Sequence, residues 1–71
     1  MNVMEYLVIV ERGERNCSAY VPDLPGCVAT GKSVEETSQN IREAMLWHLE
    51  TMRADGDPIP EPTSTSITVA V

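Results

Sequence analysis

Cys17-Ser18-Ala19-Tyr20-Val21-Pro22-Asp23-Leu24-Pro25-Gly26-Cys27-Val28-Ala29-Thr30-Gly31 reads as a β-hairpin. Cys17, Ala19 and Val21 fall on one side of the first arm, Ser18 and Tyr20 on the other. That is the two-residue period of a strand with one buried face. Two prolines at 22 and 25 forbid a continuous ladder, so residues 22–26 form a loop. Pro25-Gly26 suits the central pair of a type II turn, because proline presets φ and glycine accepts φ > 0. Residues 27–31 return as the second arm. The pairing sets Val21 opposite Cys27 and Cys17 opposite Gly31.

Upstream, Tyr6-Leu7-Val8-Ile9-Val10 is an apolar, β-branched run too short for a helix. It predicts a strand buried on both faces, and so a central one. Glu11-Arg12-Gly13-Glu14 is a polar turn. Downstream, Ser33 is a helix N-cap with Glu36 three residues on, as a capping box requires. Glu35 and Glu36 suit the positive end of the helix dipole. Val34, Ile41, Met45 and Met52 share a stripe at about 100° per residue, flanked by Ala44 and Leu49. The helix is expected to reach about Arg53, with Gly56 as its left-handed terminator and Pro58 blocking continuation. Alternating prolines at 58, 60 and 62 make a stiff extended connector. Residues 66–71 alternate again, with Ile67, Val69 and Val71 pointing one way, and predict a fourth strand. The fold class is α+β: a three-stranded antiparallel meander, one long helix, and a fourth strand returning to the sheet (βββαβ).

The sequence has 71 residues. A domain that small buries only about 60% of the surface its unfolded chain exposes, so one domain spans residues 1–71. It carries 5 Lys+Arg against 11 Asp+Glu, a net charge of −6. The cations Arg12, Arg15, Lys32, Arg42 and Arg53 are scattered. Binding to nucleic acid or anionic lipid needs them clustered, so neither is expected. No apolar run approaches the roughly 20 residues a bilayer demands. The N-terminus lacks a signal-peptide pattern, which points to the cytoplasm.

Catalytic candidates are poor. His48 is the one histidine, and its helical neighbours Ala44, Met45, Thr51 and Met52 offer it no ionisable partner. Cys17 and Cys27 are offset by four residues, or about 13 Å. A disulfide needs Cα atoms within about 7 Å. Two cysteines and one histidine fall short of a structural zinc site. No phosphate-cradling glycine loop is present. Neither enzymatic activity nor a cofactor is expected.

Binding candidates are better. One helix covers one face of a sheet. The first strand is apolar on both: Tyr6, Val8 and Val10 on one side, Leu7 and Ile9 on the other. The spare face is either an association surface or a modestly apolar, solvated one. Trp47 lies about 220° from Val34 on the helical wheel, among Glu36, Asn40, Glu43 and Glu50. It is either an interface anchor or a ring covered by Pro60 or Pro62. Tyr20 with the loop residues Asp23, Leu24, Pro25 and Gly26 makes the second candidate contact.

The segment Ala19–Gly31, the run Ser33-Val34-Glu35-Glu36, the run Asn40-Ile41-Arg42-Glu43-Ala44 and the exit Gly56-Asp57-Pro58-Ile59-Pro60-Glu61-Pro62 together resemble the HicB-like antitoxins of toxin–antitoxin systems. The likeness runs from about Tyr6 to Val71. It implies a degenerate ribonuclease H-like fold without the catalytic carboxylates. It also implies a partner: a HicA-type toxin, small and basic, that cleaves mRNA with a histidine and is blocked by contact. An acidic chain complements such a protein. Many HicB proteins carry a further DNA-binding domain. This chain reaches Val71 directly after its last expected strand, so a short form without that domain is expected. The other reading is a solo structural or adaptor domain with no toxin. In either case a homo-oligomer is expected, with a dimer as its simplest form.

Overall fold

The computed structural model describes residues 4–71. The elements run β1 (Ile9–Arg12), β2 (Cys17–Tyr20), β3 (Val28–Gly31) and α1 (Val34–Asp55). The strands form one antiparallel sheet in the order β1-β2-β3. This is the α+β meander-plus-helix that the patterning predicts.

The hairpin forms in the expected register. Cys17 faces Gly31, and the Val21 N–H donates to the Cys27 carbonyl at 3.2 Å. Two successive turns make the loop: Leu24 N–H donates to the Val21 carbonyl and Cys27 N–H to the Leu24 carbonyl, each at 3.0 Å. The second has Pro25 and Gly26 at its centre. Gly26 has φ 84°, the left-handed value a type II turn needs there. Between the turns Leu24 drops into the interior. Both cysteines are buried and free.

Helix α1 begins and ends on local signals. Ser33 Oγ accepts from the Glu36 N–H at 3.0 Å. The Glu36 carboxylate reaches back to the Lys32 N–H, one residue before the position a capping box would use. At the other end Gly56 has φ 75°. Its N–H donates to the Arg53 carbonyl and that of Asp57 to the Met52 carbonyl, the Schellman pair of bonds. Ile41 is buried, and Ala44, Met45 and Leu49 pack beside it on Ala19, Val21, Leu24 and Cys27. The helix lies chiefly over β3 and β2 and touches β1 least.

One expectation is corrected, and a second is not shown. The first strand's ladder covers Ile9–Arg12 rather than residues 6–10. It takes in Glu11 and Arg12 because Ser18 and Cys17 stand opposite them. Nor is it central: β2 is, and residues 6–10 are half-buried rather than enclosed. The second concerns the C-terminal segment. Among the described residues, 66–71 pair with no strand, and Ile67 and Val69 are 83% and 71% exposed.

Candidate interaction surfaces

The alternation of the strands divides the candidate residues between two faces. Cross-strand partners share a side, so Val10, Ala19 and Ala29 line the inner face beneath α1. Ile9, Tyr20 and Val28 form a row on the outer face, which no helix covers. Tyr20 is 40% exposed and Val28 more so. The spare apolar face read from the first strand therefore exists, though Val28 on β3 contributes as much of it. Its period in the segment 27–31 was the signal for that.

Helix α1 presents a second surface on its far side. Trp47 is 74% exposed, so the prolines do not cover it. Glu36, Glu43 and Glu50 are exposed on the same side. Glu43 and Glu50 stand four residues before and three after Trp47, close enough to flank its ring. Leu46, also exposed, points about 100° away from Trp47 on the helix. Tyr20 and Trp47 are thus on opposite sides of the molecule and cannot serve one small contact.

The loop candidates separate as well. Pro25 and Gly26 are exposed at the turn. Leu24 is 0% exposed, so its place is in the core and it has no surface to offer a partner. Asp23 is already engaged. Its Oδ2 accepts from the backbone N–H groups of Thr63 and Ser64, each at 3.0 Å. Its Oδ1 accepts from Thr63 Oγ1 at 2.9 Å and Ser64 Oγ at 3.0 Å. Tyr6 Oη donates to the Pro60 carbonyl. The connector is therefore fastened at Tyr6 and again at Asp23, which carries it away from Trp47. Thr63 and Ser64 have no pattern that marks them in the sequence; only their distance in space to Asp23 does.

These bonds hold the Asp23 carboxyl below the usual aspartate range. The Ser64 backbone N–H is the largest cause, partly opposed by desolvation. A depressed folded-state value means the fastening is fully present above the ordinary aspartate range and is lost as pH falls through the folded value. The Thr63 and Ser64 amide signals are therefore expected to titrate together at acid pH, below an unperturbed aspartate. Asp23→Ala should abolish that step in an NMR titration while leaving the helix signals in place.

The side chains weighed for catalysis are Cys17, Cys27 and His48. Burial pushes the Cys27 thiol up, away from the nucleophilic thiolate. His48 is half-buried on α1. Among the described residues no His, Cys, Asp or Glu cluster of three could hold a metal ion. No described helix is long and apolar enough to cross a membrane.

Comparison with known proteins gives a consistent picture. Residues 6–70 match the family model described as "HicB_like antitoxin of bacterial toxin-antitoxin system". A UPF0150 protein of Thermoplasma acidophilum is 36% identical over 67 residues, covering 93% of this chain and 97% of that protein. A UPF0150 protein of Helicobacter pylori is 45% identical over 47 residues, 66% of this chain. The match spans 65% of the Helicobacter protein. Among solved structures, a chain of a "HicA3 and HicB3 toxin-antitoxin complex" superposes with a TM-score of 0.71 at 28% identity, over 84% of this chain and 70% of that one.

Proposed function

This chain belongs to the HicB-like antitoxin family of bacterial toxin–antitoxin systems, and from that we propose that residues 1–71 act as one antitoxin domain that binds and blocks a HicA-type toxin. It works in the cytoplasm, without catalysis of its own. The observation that carries the reading is the structural likeness to a chain of a HicA–HicB complex. The surface that best fits such a partner is the outer side of α1. There a tryptophan is flanked by Glu43 and Glu50, with Glu36 farther along the same side, on a chain of net charge −6. A desolvated aromatic anchor supplies affinity. The carboxylates steer a basic, RNA-binding partner toward it and exclude wrong ones. Occupying that partner's basic surface denies it to mRNA.

Tyr20, with Pro25 and Gly26 at the adjacent turn, is the second contact candidate, on the opposite face. The ribonuclease H-like completion of the sheet by a fourth strand, and self-association of the domain, belong to the same proposal.

The test is co-expression with a small basic HicA-type toxin, scored by growth and by recovery of the complex. Growth should be rescued. Trp47→Ala should weaken the purified complex by about 2 kcal/mol or more, roughly thirtyfold, as interface hot spots do. Its exposure means the fold should be unchanged. Tyr20→Ala should have a much smaller effect. If Tyr20→Ala is the damaging change, the toxin sits on the sheet; if no complex forms, toxin blocking is wrong.

A further inference from the structure

Residues 62–71 read Pro-Thr-Ser-Thr-Ser-Ile-Thr-Val-Ala-Val and carry no charged side chain. The last six alternate with the two-residue period of a strand. In the structure they form an arm without a ladder, with Ile67 and Val69 almost wholly in solvent. An exposed, uncharged, β-branched strand sequence pairs readily with any free sheet edge. The arm is not loosely rooted. The four hydrogen bonds from Thr63 and Ser64 to Asp23 fix the point from which it leaves.

The sheet has an edge to receive it. Among the described residues β1 pairs with β2 only, and α1 covers it least. The β3 edge is less open, because Asn40 Nδ2 donates to the Thr30 carbonyl at 2.8 Å. Between the segment entering β1 and the later half of α1 runs a groove of about 410 Å³, lined by Met4, Tyr6, Met45, Leu46 and Leu49 together with Arg42 and Arg53. Two copies of a chain with net charge −6 repel one another overall. Here two of the chain's five cations, Arg42 and Arg53, meet an arm without acidic side chains, so that repulsion is weakest.

We propose that residues 66–71 of one chain add as a fourth strand to the β1 edge of a second copy, seating Ile67, Val69 and Val71 in the groove beside α1. The exchange is reciprocal, so the assembly closes at two. It gives the self-association proposed above a residue-level form, and does not depend on the toxin.

The test uses the full chain without any toxin. Light scattering should return twice the 7.8 kDa chain mass. Amide hydrogen exchange should show residues 66–71 protected in the dimer and unprotected on dilution to monomer. Val69→Asp should weaken the dimer at least about tenfold, or 1.4 kcal/mol, while far-UV dichroism stays that of the parent. Three results would each overturn the proposal. One is a monomer at all concentrations. Another is a dimer indifferent to Val69→Asp whose residues 66–71 exchange freely, which would place self-association on Trp47 or the outer sheet face. The last is protection of residues 66–71 in a monomer, which would assign the strand to its own chain. Because no toxin is present, failure here leaves toxin blocking standing, and failure of toxin blocking leaves the dimer standing.

Discussion

Leu24→Ala is expected to remove a large share of the chain's stability. Leu24 is fully buried in contact with the cluster of Ala19, Val21, Cys27 and Ile41. Truncating a buried leucine costs about 2–5 kcal/mol, the range reflecting how far the site can collapse. Collapse is hindered here. Leu24 is clamped by hydrogen bonds through both its N–H and its carbonyl, so the backbone cannot follow the missing side chain inward. A domain of this size has a total stability of about 4–11 kcal/mol, at roughly 0.05–0.15 per residue. The loss is therefore a large share of the whole. Urea unfolding followed by far-UV dichroism should show the midpoint moving sharply down with the slope preserved. A variant as stable as the parent would mean that Leu24 is not the keystone of this core. It would also return Leu24 to the surface, as the partner contact that its loop position suggests.

Gly31→Ala is the second large effect, for a different reason. Gly31 has no left-handed backbone, so conformation is not the issue. A methyl group there would lie 2.6 Å from Thr37 Oγ1, 2.8 Å from Thr37 N and 3.0 Å from Thr37 Cα. Two of these atoms are helix backbone. The third cannot rotate away, because Thr37 is fully buried and its hydroxyl donates to the Ser33 carbonyl at 2.7 Å. Relief needs the first turn of α1 to move off the sheet, at the place where the N-cap begins it. Overpacking of this kind costs about 1–3 kcal/mol. For a domain of this length that lowers Tm by roughly 10 °C, and more if the cap is lost as well. Thr37→Ala in the same chain should restore little, since the backbone nitrogen and Cα remain. Full rescue by that second change would show that only the hydroxyl was in the way.

The two substitutions differ in how far the sequence announces them. Pro25-Gly26 marks the turn, yet nothing in Asp23-Leu24-Pro25 says that the middle residue faces inward. That follows from two tight turns in succession, which aim Leu24 at Ile41 on a helix that closes over the sheet. Gly31 reads as the end of a strand. Its real constraint is Thr37, which the helical pattern leaves among polar residues. Trp47 shows the same division. Its place on an acidic helix face is legible from spacing. Whether the prolines cover it depends on where the connector is fastened, and Asp23 and Tyr6 fasten it elsewhere.

What the sequence determined by itself is local. The hairpin register, the type II turn at Gly26, the Ser33 cap and the Gly56 terminator all depend on groups a few residues apart, where chain stereochemistry leaves few choices. The tertiary structure alone decided the rest: the true extent of β1, the depth of Leu24, the bare face of Trp47, and the course of the chain after Ser64. Each depends on a partner distant in sequence. Asp23 and Thr63 are forty residues apart, and only the packing of α1 on the sheet brings the ends of that span together.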